Sequence, residues 1–257
     1  MTAEKIDQGI FLTPSQDLRA DQLKLVRQII GEHWGRDFAK EHVLKEARQR
    51  LVVRILLNSS SMILKLFPLD RITSRIRHRK FARREFLNYQ RASELKIPTP
   101  KCYALIEQRK LGLVCCSGIL LDELSDSTDA LTLSKSKPYE DAAKECLPAL
   151  ALLYEKGVNH LDAREENILF SKGGWFIIDW QYAIFVSPRA DWLLEHLAAF
   201  FIKKAPLPAQ KKLEGEWLRG LHECAHHHHD LELFRERVLK LLSKHQGGNA
   251  RKKLRPC

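Results

Sequence analysis

No stretch of about 18 consecutive apolar residues occurs in this sequence, so no segment is a candidate for a helix crossing a bilayer. The opening residues MTAEKIDQGIFLTPSQD lack a basic patch followed by an apolar core, and do not read as a secretory leader. Cysteine is sparse: the six, at positions 102, 115, 116, 146, 224 and 257, contain no repeated C-x-x-C pair. That usage excludes a stapled secreted scaffold and suits free thiols in a reducing compartment, so the expected location is cytoplasmic. There is no internal repeat, no low-complexity linker, and no composition typical of disordered or collagen-like chains.

What is present is enough apolar material for a real core. The 257 residues are 44% hydrophobic and 29% charged, which allows one domain or two small lobes. The formal net charge of +11 favours an anionic partner: nucleic acid, an acidic membrane surface, or a phosphorylated or carboxylated substrate. The positive residues cluster in RITSRIRHRKFARR (71–84) and RKKLR (251–255).

Periodicity divides the chain into a strand-rich first half and a helical second half. The first forty or so residues read as a partly helical prelude, with Leu23, Val26, Ile30 and Trp34 at helical spacing. RLVVRILLNSSSMILKLFP (50–68) reads as a hairpin turning at Asn58-Ser59-Ser60 and closed by Pro68. A helix over about 78–96 ends before Pro98 and Pro100, and strands follow at 102–108 and 111–124. Residues 125–138 are polar and loop-like, and one helix is expected from Ala142 to Tyr154. From about residue 190 the pattern is helical, with Trp192, Leu193, Leu197, Phe200 and Phe201 on one stripe. The fold class expected is α+β and bilobal, with a β-rich lobe over 1–124 and a mostly helical lobe over 125–257.

The most specific chemistry lies in GVNHLDAREENILFSKGGWFIIDW (157–180). Phosphoryl transfer from ATP needs an acid to orient or deprotonate the attacking hydroxyl, and oxygen ligands for magnesium. Asp162 on a loop and Asn167 five positions later can supply the base and one ligand from a single short segment. Asp179, at the end of the second strand of a Gly-Gly hairpin, can supply the other ligand. Any one of these polar residues alone would read as a turn acid, a cap or a strand end. Their order around a hairpin makes the functional reading the stronger one.

Lys65 carries the second signal. It stands in MILKLF (62–67), where both faces are apolar, so the strand is expected to be covered on both sides. A lysine there is costly to bury without an anion. Glu85, four residues from both Phe81 and Tyr89 on the following helix, is the candidate partner. The competing readings are a lysine that snorkels from an edge strand and an acid on an ordinary helix surface.

Together, Lys65, Glu85, His160-x-Asp162-x-x-x-x-Asn167 and Asp179 resemble the ordered signature of protein-kinase-like folds. The finer pattern is similar to the lipopolysaccharide core kinase family, the Kdo and heptose kinases. Three stretches carry it: LKLFP followed by a basic segment, RREFLNYQRASELKIPTPKCYAL, and HLDAREENILFSKGGWFIIDW, within roughly residues 50–200. The resemblance implies a fold with a β-rich N-lobe holding one main helix. It also implies ATP and Mg2+ as cofactors. Lys65 would hold the α- and β-phosphates with Glu85 orienting it, and the hinge strand Leu121–Leu124 would offer backbone groups at Glu123 and Leu124 to adenine. Asp162 would be the base, Asn167 and Asp179 the metal ligands, His160 a structural member of the loop, and Asp191 a brace for it.

The departures narrow the acceptor. No G-x-G-x-x-G precedes Lys65; the hairpin tip is serine-rich, and Arg48 to Arg50 lie nearer the usual place of a phosphate lid. Asp179 is followed by Trp180-Gln181 rather than Phe-Gly, no A-P-E follows, and position 161 is Leu. These argue against a switchable activation loop and a protein substrate. In LHECAHHHHD (221–230), His222, Cys224 and His226 to His229 read as a polar helix end rather than a metal site, because no distant partner is evident. Cys115 and Cys116 point to opposite faces of a strand and read as packing.

The expected activity is ATP-dependent transfer to a sugar hydroxyl of the lipopolysaccharide inner core. The expected partners are that glycolipid, or a related anionic sugar acceptor, and peripheral contact with the anionic inner-membrane surface through residues 71–84; nucleic acid is not expected. The alternatives are a kinase-fold enzyme acting on another small alcohol or a protein, or a non-catalytic kinase-like protein that binds anionic membrane or nucleic acid. The intact set Lys65, Asp162, Asn167 and Asp179 speaks against the last, since a pure binding module has no use for all four.

Overall fold

The computed structural model describes residues 3–7, 9–16, 18–34, 39–47, 50–57, 60–69 and 80–244. Arg48, the Asn58-Ser59 tip, the stretch 71–79 of the basic run and the basic tail 251–255 lie outside the described residues. The chain forms two compact units: Met1–Ser93 with Pro100–Leu124, and Glu94–Thr99 with Ser125–Cys257.

The first unit is built on a seven-stranded antiparallel sheet. Its strands are β1 (Glu4–Asp7), β2 (Ile10–Pro14), β3 (Val43–Ala47), β4 (Arg50–Leu57), β5 (Ser60–Pro68), β6 (Cys102–Lys110) and β7 (Leu113–Asp122), in the order β1-β2-β6-β7-β5-β4-β3. The hairpin expected at 50–68 forms with Leu57 opposite Ser60. β5 is interior, paired with β4 on one side and β7 on the other. Helix α1 (Ala20–His33) covers one face: Val26, Ile29 and Ile30 join Met62, Leu64 and Leu66 of β5 in one buried cluster. Each such side chain contributes about 1.5–3 kcal/mol on full burial. The alternate residues Lys65 and Phe67 face helix α2 (Phe81–Glu94), whose Phe81 ring lies 6.5 Å from that of Phe67. The doubly apolar pattern of β5 therefore has a simple cause, a helix on each face.

The N-terminal prelude holds more than its helix. β1 and β2 extend the sheet beyond β6, a pairing that short, mixed-polarity strands do not announce locally. On β7, a Cβ at Gly118 would come within 2.9 Å of the Lys65 carbonyl and the Leu66 side chain, and 3.2 Å from Trp34. Only a glycine lets the tryptophan that follows α1 close over the sheet there. Cys115 and Cys116 are half-buried rather than sealed in the core, and the Cys115 thiol donates to the Gln108 carbonyl.

The second unit is mainly helical. The stretch read as a loop at 125–138 contains β8 (Thr128–Asp129) and α3 (Ala130–Leu133), capped where the Thr132 N–H donates to the Asp129 carboxylate at 2.7 Å. The helix expected from Ala142 to Tyr154 is two, α4 (Tyr139–Lys144) and α5 (Leu147–Glu155), with Pro148 in the first turn of the second. Short strands β9 (Val158–Asn159), β10 (Ile168–Ser171), β11 (Gly174–Ile177) and β12 (Ile184–Phe185) follow. Helices α6 (Leu193–Lys204), α7 (Leu207–Lys212), α8 (Leu218–Cys224) and α9 (Leu231–Lys244) close the unit. Its core is aromatic: Trp180, Trp217, Phe200, Phe201 and Phe234 are fully buried, and Phe201 stacks on Trp217 at 4.8 Å. Glu94–Thr99 groups with this unit because the Ile177 N–H donates to the Pro98 carbonyl and the Thr99 hydroxyl donates to the Ile177 carbonyl. No helix among the described residues is long and apolar enough to cross a membrane.

Candidate active site

In the first unit, the Lys65 ammonium donates to the Glu85 carboxylate at 2.6 Å. Lys65 is 6% exposed and Glu85 is 0% exposed, so neither is a surface charge. Glu85 sits on the buried face of α2 with Ala82, Phe86, Tyr89 and Ala92. An ammonium so withdrawn from water is costly to bury unless an anion balances it. The pair presents a fixed cation suited to holding phosphate oxygens. Glu123 faces a different duty: its carboxylate accepts from the Arg54 guanidinium at 2.6–2.7 Å, and its N–H reaches the Ser61 carbonyl at 3.4 Å. Leu124 is the last residue of this unit.

A second feature of the first unit is a basic groove. Lys80, Arg83 and Arg84 with Arg109 line an open cavity of about 770 Å³ whose apolar lining includes Phe81, Leu87 and Val114. Buried Glu107 balances part of this charge, accepting from Arg109 at 2.6 Å and lying 3.8 Å from Arg83. The exposed Lys80 and Arg84 leave the groove net positive.

In the second unit, β9 delivers the chain into a tight turn at His160-Leu161-Asp162. The Asp162 carbonyl accepts from the Asn167 side-chain amide at 2.8 Å and from the Arg164 N–H at 2.9 Å. The Ile178 N–H donates to the Asn167 carbonyl at 3.0 Å, and His160 Nε2 lies 3.1 Å from the Ile178 carbonyl. These bonds stitch the loop carrying Asp162 and Asn167 to the strand end carrying Asp179. Burial lowers the His160 pKa, while the charges of Asp162 and Asp179 both pull it upward. Two carboxylates therefore act on one buried imidazole, and the three candidate residues of this unit share one neighbourhood.

Asp179 adopts the left-handed conformation, φ 62° and ψ 54°, which aspartate tolerates better than most residues. Trp180 behind it is wholly buried, 5.0 Å edge-on from His160 and stacked 6.4 Å from Phe185. Its indole N–H donates to the Thr99 hydroxyl and the Ile177 carbonyl. Asp162 is 1% exposed and Asn167 is 6% exposed. The Asn167 NH2 donates to a backbone carbonyl, and the atoms by which these three side chains could ligate a metal are oxygens. That donor set fits a hard divalent cation such as Mg2+.

Two neighbours escaped the reading of the sequence. Arg164 lies 3.8 Å from the Asp162 carboxylate and 2.7 Å from that of Glu166. Glu165 is buried, accepts from the Tyr139 hydroxyl at 2.9 Å, and has its pKa raised by burial. In sequence both belong to a polar run, and no spacing marks them. Asp191, expected to brace this loop, is exposed and pairs with His228 at 3.2 Å instead.

Comparison with known proteins agrees with this architecture. A family model described as the RIO domain matches residues 67–212. Among solved structures, WaaP in complex with acyl carrier protein is similar, with a TM-score of 0.58 and 17% identity. The alignment covers 95% of this chain and 98% of that one. No curated protein matches. The fold is protein-kinase-like.

Proposed function

The chain belongs to the RIO domain family and is a kinase-fold phosphotransferase, and from that premise we propose that it phosphorylates a sugar hydroxyl of the lipopolysaccharide inner core, using ATP and Mg2+. The observation that carries the reading is the clustering of Asp162, Asn167 and Asp179 around His160, with only oxygens to offer. Asn167 and Asp179 would hold the metal, which when bound neutralises charge on the triphosphate. Asp162 aligns the acceptor hydroxyl and takes its proton as the oxygen attacks phosphorus. Lys65, held by Glu85, binds the α- and β-phosphates, and backbone groups at Glu123 and Leu124 meet adenine. Arg164 adds a cation beside Asp162 where negative charge spreads during transfer.

The acceptor assignment rests on charge and on the sequence resemblance. The groove of Lys80, Arg83, Arg84 and Arg109 suits an anionic amphiphile, since its arginines offer forked donors to phosphate or carboxylate and its leucine and valine side chains offer apolar contact. A cationic acceptor such as an aminoglycoside would meet repulsion. With this acceptor the enzyme works at the cytoplasmic face of the inner membrane, as a peripheral participant in lipopolysaccharide biosynthesis.

The test is transfer of labelled phosphate from ATP to purified core oligosaccharide, alongside other sugar alcohols and a generic protein substrate. The proposal expects acceptor-dependent transfer to the core oligosaccharide, lost in Asp162→Ala. Equal transfer by that variant would remove Asp162 from its role, and transfer to protein alone would overturn the acceptor.

A further inference from the structure

We propose that Asp191, His228 and His229 form a binding site for a first-row divalent transition metal of the zinc, cobalt or nickel class, on the second unit and apart from the phosphotransfer residues. One ligand atom from each of the three lies within 4.8 Å of the others. Asp191 Oδ1 and His228 Nε2 are 3.2 Å apart. Donors about 2.0–2.2 Å from a tetrahedral metal are separated by roughly 3.4 Å, so this pair already has the required spacing, and the His229 ligand atom lies within 4.8 Å of both.

The surroundings are arranged as a metal centre needs. His228 Nδ1 lies 3.2 Å from the Tyr154 hydroxyl, which fixes the ring with Nε2 toward Asp191. His222 Nε2 lies 2.7 Å from the His229 carbonyl and pins the turn that carries the run, where His226 takes a positive φ of 46°. His229 Nε2 is buried and has no hydrogen-bond partner. The His228–Asp191 ion pair alone accounts for two of the three residues but leaves that nitrogen orphaned, and a metal bound through it would satisfy it.

The chemistry of the set selects the ion. Two imidazoles and one carboxylate favour zinc, cobalt or nickel over magnesium or calcium, which prefer oxygen. The side chain of Asp191 is 79% exposed and that of His228 46% exposed, so water can complete the shell and the ion can enter from solvent. Asp191 lies two residues before α6, whereas both histidines lie between α8 and α9. A bound ion would staple these two stretches together. The family match ends at residue 212, so the histidines fall beyond it.

The experiment titrates the chelator-treated full-length protein with Co2+ and Zn2+ in buffer containing excess Mg2+. Stoichiometry is read by equilibrium dialysis and coordination by the visible absorption of Co2+. One equivalent is expected, with affinity reduced at least about tenfold in Asp191→Ala and in the double variant His228→Ala/His229→Ala, and unchanged in His226→Ala, whose residue is exposed and outside the cluster. Asp191→Asn, nearly isosteric, serves should the alanine variant misfold, and circular dichroism checks each protein. Absence of stoichiometric binding overturns the proposal. So does binding that responds equally to His226→Ala and Asp191→Ala, the behaviour of a flexible histidine run.

Discussion

The two units hold their charged residues by different means. In the first, Lys65 and Glu85 come from a central strand and a helix and meet only because the sheet and α2 pack face to face. In the second, Asp162, Asn167 and Asp179 lie within one short stretch and are positioned by bonds of the backbone and of the His160 and Asn167 side chains to the Asp162, Asn167 and Ile178 carbonyls. Packing and stability are thus inseparable at the first centre, while at the second the Asp162 carboxylate can be changed with those bonds left standing.

That contrast can be broken in order of expected effect. Asp162→Asn keeps the shape of the side chain and should lower turnover by about 10²–10⁴-fold while the urea midpoint stays within error of the parent. A large loss of stability would mean that the loop depends on this side chain as the first unit depends on its ion pair. Glu85→Ala strands a buried ammonium and should destabilise the fold by about 3–5 kcal/mol, as well as abolishing activity. Stable but inactive protein would show that Lys65 finds another anion or escapes to water.

Gly118→Ala sharpens the comparison from beneath Lys65. The added methyl meets the Lys65 carbonyl and Leu66 at 2.9 Å, and overpacking of this kind costs about 1–3 kcal/mol, visible as a lowered Tm. No change in Tm would mean that α1 yields easily. The smallest effect concerns Glu195 in α6, 2% exposed, 3.5 Å from Arg237 and with its pKa raised by burial. A raised carboxyl pKa stabilises the folded state least once the group ionises. Its contribution is fully favourable below the ordinary glutamate range and fades as pH climbs through the folded value. Denaturation midpoints of Glu195→Gln between pH 4 and pH 7 should therefore fall less steeply than those of the parent.

How much of this was legible beforehand follows from the same contrast. The 157–180 stretch was readable because its residues are sequence neighbours and its hairpin carries a Gly-Gly turn. Lys65 was readable from the misfit of one charge in an apolar strand. The pairing of β2 with β6 was not, since some 90 residues separate the partners and neither β1 nor β2 alternates strongly. Arg164 and Glu165 were hidden for another reason: burial in a polar segment leaves no periodic trace. The approach of Asp191 to the histidine run was not readable, because that aspartate comes from a distant turn with no pattern of its own.

The indole behind Asp179 has a consequence for the turn that carries it. Emptying its slot against His160 and Phe185, as in Trp180→Ala, would cost about 3–5 kcal/mol and would take away the wall on which the left-handed aspartate rests.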